Sequence, residues 1–115
     1  MSTETIGAIE RNMEKARAVL EFSAALERLR SNRDFKKVVL EGYFEQEAIR
    51  LVHLKSDPNM QKPDMQQSIV NQIDAIGQLH QFFSTVLQKA SMASRQIEAD
   101  QETLEELAAE ELNNG

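Results

Sequence analysis

Apolar residues recur at steps of three and four along three stretches of the chain, the spacing of one face of an α-helix. In the first stretch Ile6, Ile9, Met13, Ala16 and Leu20 lie on one stripe, which Phe22, Leu26 and Leu29 continue from Val19. Thr3 and Thr5 offer hydroxyls to the free N–H groups of a first turn that Gly7 loosens, so a helix is predicted over about residues 4–30. Ser31 followed by Asp34 comes close to a capping box and starts a second helix. There Phe35, Val38, Val39, Tyr43, Phe44, Ala48, Leu51 and Val52 make an apolar face broad enough for two neighbours. Gly42 costs about 1 kcal/mol relative to Ala within a helix. It is read as permitting a bend or a close approach, not as ending the element.

The segment Lys55 to Pro63 holds both prolines and reads as a loop, and Asp64 suits the first turn of a third helix. From there Ile69, Ile76, Phe83, Ala90, Ile97 and Leu104 recur every seven residues. Leu79, Val86, Ala93 and Leu107 fill a second track, and Asp100 and Gln101 weaken the pattern after Ala90. At 1.5 Å per residue the first two helices reach roughly 35–40 Å and 30 Å, whereas a third helix running to about Leu112 reaches roughly 70 Å. The expected architecture is all-α: an antiparallel three-helix bundle, or helical hairpin, whose long C-terminal helix extends beyond the core. Residues 1–91 form the expected core, with helices at about 4–30, 33–54 and 64–91, and residues 92–115 an acidic extension that frays at its end.

Composition agrees with one helical domain. Glycine (four) and proline (two) are too few for the turns of an all-β chain, and aromatics are only 5%, so the core must be mostly aliphatic. With no cysteine there is no disulfide framework. The N-terminus lacks the basic and apolar blocks of a signal peptide, and no apolar run approaches the length of a membrane span. These features predict a soluble chain that stays where it is made.

Candidate chemistry is sparse. His53 and His80 have no carboxylate or imidazole partner at the spacing that builds di-iron or zinc sites on helices. His80 reads as a boundary residue beside the core stripe. His53 reads as a favourable charge near a helix C-terminus. Ser23, Ser84, Ser91 and Ser94 fall inside helical patterns with no base nearby, and no phosphate-binding glycine loop or nucleophile elbow is present. No enzyme activity, metal or cofactor is expected.

Charge is distributed more tellingly. The net charge is −6, yet all 13 Lys and Arg lie at or before Arg95, and seven of the 19 acidic residues lie after it. A basic segment, Arg28, Arg30, Arg33, Lys36 and Lys37, surrounds the junction of the first two helices. Glu27 and Asp34 dilute it and no aromatic residues alternate with it, so nucleic acid is not the expected partner. The acidic end keeps an apolar edge and reads either as a docking segment, with Ile97, Glu98, Leu104, Glu105, Leu107, Glu110 and Glu111 facing a partner, or as a solubilising tail. In a homo-oligomer that end could approach the basic corner of another copy.

The stretch NRDFKKVVLEGYFEQEAIRLVHLKSDPNM (Asn32–Met60) resembles small helical proteins encoded by tailed bacteriophages, and QIDAIGQLHQFF (Gln72–Phe83) continues the resemblance more loosely. The resemblance covers about half the chain, carries no catalytic signature, and implies a phage origin, among proteins that are uncharacterised or associated with virion assembly. The expected function is therefore a non-enzymatic structural or assembly-accessory phage protein. Its expected contacts are with itself and another protein, phage or host, without a membrane. Its expected location is the cytoplasm of an infected bacterium or the virion. The alternative is an acidic inhibitor that occupies a basic groove of a host protein.

Overall fold

A computed structural model describes residues 3–114. Among them there is no strand, and only Asn32, Asp57, Gln61 and Lys62 lie outside a helical segment. Helix α1 spans Thr3–Ser31. Helix α2 spans 33–56 in three consecutive parts: an α turn at Arg33–Phe35, a π-helical stretch at Lys36–Glu47, and an α-helical end at Ala48–Ser56. A 3₁₀ turn at Pro58–Met60 leads to α3, Pro63–Asn114, which is 52 residues long. No described residue has positive φ, so these connections need no left-handed glycine, in keeping with how few glycines the chain has.

Both connections are made by side chains as well as backbone. A single residue, Asn32, separates α1 from α2; its extended backbone (φ −70°, ψ 131°) ends one helix and its Oδ1 accepts from Phe35 N at 2.9 Å to start the next. The predicted cap, Ser31, instead belongs to α1 and donates its Oγ to Glu27 O at 3.0 Å. Asparagine wins because it stands one residue nearer the new helix, at the position from which a side-chain oxygen reaches the third N–H. In the second connection Asp57 Oδ1 accepts from Asn59 N at 2.8 Å. Two glutamine amides close the loop: Gln61 Nε2 donates to Lys55 O and Asp57 O, and Gln66 Nε2 to Lys55 O and Met60 O.

The chain divides into two compact units. Leu26–Thr85 form one. Its centre is Leu51, 0% exposed, with Ile69 and Ile76 of α3, ringed by Tyr43, Phe44, Ala48, Leu54, Met60 and Ile73. An aromatic cluster extends it: Phe83 lies 6.1 Å from Phe35 and 5.8 Å from Phe44, and Phe44 also meets His80 edge-on at 5.6 Å. The offset and edge contacts suit ring quadrupoles.

Residues 3–25 and 86–114 form the other unit. Only two helical segments are present there, so each buried stripe is covered by the other. On α1 the stripe is Met13, Ala16 and Ser23, with Ile6, Ile9, Val19 and Leu20 half-buried. On α3 it is Val86, Ala90, Ala93, Asp100 and Leu107, with Ile97 and Leu104 half-buried. Steps of three and four are kept without interruption along this part of α3, the pattern of a coiled-coil seam. Ser23, not the neighbouring Phe22, occupies the α1 seam; Phe22 and Leu29 are exposed.

The sequence pattern and the contacts divide the chain at different places. The sequence leaves the stripe after Ser91 without cover and places a boundary there. In the structure α3 continues helical to Asn114, and α1 covers its second half.

Candidate interaction surfaces

The basic segment lies wholly within the unit Leu26–Thr85. Arg28, Arg33, Lys36 and Lys37 are exposed and Arg30 is half-buried. Arg30 pairs with Glu27 at 3.4 Å and Arg33 with Asp34 at 3.7 Å. Arg28, Lys36 and Lys37 form no ion pair among the described residues. Exposed pairs of this kind contribute little to stability, so these side chains remain available to a partner.

The acidic end belongs to the unit of residues 3–25 and 86–114. Glu98, Glu102, Glu105, Glu106, Glu110 and Glu111 are exposed and none is ion-paired among the described residues. The apolar edge expected to meet a partner is placed differently: Leu107 is buried, and Ile97 and Leu104 are half-buried, within the chain's own seam. Of the predicted docking residues, the carboxylates of Glu98, Glu105, Glu110 and Glu111 stay outward, and exposed Leu112 lies just beyond them.

Asp100 stands apart from the other acids. It is 8% exposed, at a seam position that coiled coils give to apolar side chains. Its Oδ1 accepts from Gln96 Nε2 at 2.9 Å, while buried Oδ2 has no hydrogen-bond partner. A buried unsatisfied oxygen is destabilising, and such residues are retained elsewhere to fix register.

The π-helical stretch is a third distinctive feature. Turns of this type hydrogen-bond five residues apart and occur mostly as single turns, whereas here the stretch covers 12 residues. Gly42 sits inside it, and a Cβ there would stand 3.2 Å from Lys37 O, five residues earlier. The expected close approach at Gly42 is thus one between turns of its own helix.

Helix α2 also carries apolar residues that this chain leaves uncovered. Val38 is 67% exposed, Ile49 58% and Val52 56%. Periodicity assigns Val38 and Val52 to the buried face. It leaves out Ile49, which lies three residues before Val52 and therefore on the same side of the helix. Of the face predicted to meet two neighbours, the side of Tyr43, Phe44, Ala48 and Leu51 packs on the core with Ile69 and Ile76.

His80 is exposed apart from its ring contact with Phe44, and His53 is exposed in the last turn of α2. No group of three or more His, Asp or Glu among the described residues is placed to hold a metal ion. A depression of about 160 Å³ lies among Tyr43, Glu47, Leu51, Gln72, Ala75 and Ile76, below the usual range of ligand pockets. At its edge Arg50 Nε donates to Glu47 Oε2 at 3.0 Å, which lowers the Glu47 carboxyl below its ordinary pKa and raises that of Arg50. No described helix is long and apolar enough to cross a membrane. Compared with protein-family models, curated proteins and solved structures, the chain has no match.

Proposed function

We propose that this chain is a non-enzymatic structural or assembly-accessory protein of a phage particle, working through helix-mediated contacts with itself and with another protein. The observation that carries the reading is the amount of helix surface left ready for protein contact. Cations at Arg28, Lys36 and Lys37, carboxylates from Glu98 to Glu111, and apolar residues on α2 all stand exposed. The phage setting rests on the resemblance carried by Asn32–Met60 and Gln72–Phe83, which implies the infected bacterial cytoplasm or the virion as its location. In this reading α1 and α2 run antiparallel to α3 as a helical bundle, which keeps the charged and apolar outer surfaces rigid.

Purified virions provide the test. Recovery of the chain at a fixed ratio to the other particle proteins supports an assembly role. Its absence from virions and from assembly intermediates overturns that role.

A second reading is favoured by the acidic end alone: an inhibitor that lays exposed Glu98, Glu105, Glu110 and Glu111 into a basic groove of a host protein. Such a complex would weaken steeply with added salt, since exposed charges are screened. Reversing Glu105, Glu106, Glu110 and Glu111 to Lys in the full chain separates the readings, because these residues lie outside the seam. Truncation at Arg95 does not, because it removes buried Asp100 and Leu107 and dismantles one unit.

A further inference from the structure

We propose that the uncovered side of α2 is the surface through which two copies of this chain pair, helix against helix and antiparallel, with Ile49 and Val52 at the centre. The inference rests on the self-association in the proposed function and deepens it by assigning it a surface. It begins with a mismatch between sequence and burial. Leu51 and its neighbours satisfy one side of α2, yet Ile49 and Val52 stand more than half exposed on another. They are three residues apart, and Ser56 continues their row one turn later. Glu45 precedes it by one turn. The row thus reads Glu45, Ile49, Val52, Ser56, with spacings of four, three and four, the a/d pattern of a coiled-coil strip.

Charge selects the occupant. On the N-terminal side of the apolar pair stand exposed Glu41 and Glu45; on the C-terminal side stand exposed His53 and Lys55. Neither Glu45 nor Lys55 forms an ion pair among the described residues. Glu45 lies four residues before Ile49 and Lys55 three residues after Val52, so the strip is nearly symmetric about its middle with opposite signs at its ends. A second copy turned end for end brings Ile49 onto Val52 of its mate and each Glu45 near the mate's Lys55. A parallel copy sets like charges together at both ends. Self-complementarity under a two-fold rotation is the mark of an isologous interface. An acidic partner would meet Glu41 and Glu45, and a basic one Lys55, so neither fits the strip as a second copy does.

Two sets of full-length variants test this. The chain contains no cysteine, so single cysteines report proximity without background. Mixed E45C and K55C chains should form an intermolecular disulfide faster than either does alone. By sedimentation, E45K and K55E alone should each raise the dimer dissociation constant about tenfold, through like charges meeting at the interface. The double variant E45K/K55E should restore it. V52E should abolish pairing while circular dichroism shows the helices intact. A native chain that stays monomeric at the highest soluble concentration overturns both this surface and self-association. A chain that associates, but whose pairing survives V52E and whose mixed cysteines do not cross-link preferentially, overturns this surface alone.

Discussion

Phe44 on α2 meets Phe83 on α3 edge-on, with ring centroids 5.8 Å apart and planes inclined at 66°. This contact joins two elements that the apolar core at Leu51 also joins, one turn or more away along each helix. Its contribution can be separated from simple burial by a double-mutant cycle with Phe44→Leu and Phe83→Leu. The coupling expected from thermal or urea unfolding is about 0.5–1.5 kcal/mol. Strict additivity of the two substitutions would show that the rings contribute area and no specific geometry.

Leu51 and Asp100 are both buried, and should respond to substitution in opposite directions. Leu51→Ala leaves a cavity against Ile69 and Ile76, and should cost about 2–5 kcal/mol. Asp100→Leu removes an unsatisfied oxygen and gives the seam the apolar residue its heptad position favours. A gain of about 1–3 kcal/mol is expected in chemical unfolding. A loss on Asp100→Leu would mean that the carboxylate has a bonding role the seam depends on.

At Gly42 the usual benefit of alanine should fail. Replacing a mid-helix glycine by alanine ordinarily gains about 1 kcal/mol. Here the new Cβ would press on the backbone oxygen of Lys37 at 3.2 Å, so the π-helical stretch must tighten or shift to admit it. Gly42→Ala is expected to leave the melting temperature unchanged or lower it. A clear rise would indicate that the wide turns are readily exchanged for ordinary α-helix.

The Glu47–Arg50 pair provides a pH signature. The folded carboxyl is lowered from its ordinary value of 4.5 by the Arg50 hydrogen bond, and both groups are at the surface. A lowered folded pKa contributes stability that is present above the unfolded value and lost as pH falls through the folded one. The native chain should therefore exceed Glu47→Gln by a small margin at pH 7, and the margin should close as pH falls below the ordinary value of 4.5. Melting temperatures measured across that range for both proteins check the sign. A margin that widens in acid contradicts it.

Much of the fold was legible because helical periodicity and loop chemistry point the same way. The ends of α1, α2 and α3 fall within two residues of those expected from Ser31, Lys55–Pro63 and Asn113. What escaped is tertiary. The heptad at Ile97, Leu104 and Leu107 announces a seam but not which helix closes it, since periodicity carries no address for its partner. Asp100 reads as a flaw in that pattern because a carboxylate prefers water, and only packing reveals that it is buried all the same. On α2 the overlap of two apolar rows conceals their different fates: Leu51 inward, Val52 and Ile49 outward. The basic and acidic clusters are visible as charge, whereas the internal use of Leu107 is not.

The two units differ in how the ribosome delivers them. Leu26–Thr85 is an unbroken stretch, available for folding before residues 86–114 have been made. The other unit joins residues 3–25 to residues 86–114, so α1 must wait, its apolar stripe open to solvent, until Val86 and the remainder of α3 emerge. Closing so long a loop carries an entropic cost that grows with the logarithm of its length, and contacts of high sequence separation form late. Pulse-labelled amide exchange during refolding should find Phe44 and Leu51 protected before Met13 and Ala16. The exposed stripe of a newborn α1 is then the stage at which a chaperone, or a neighbouring nascent copy, has its best opportunity to bind.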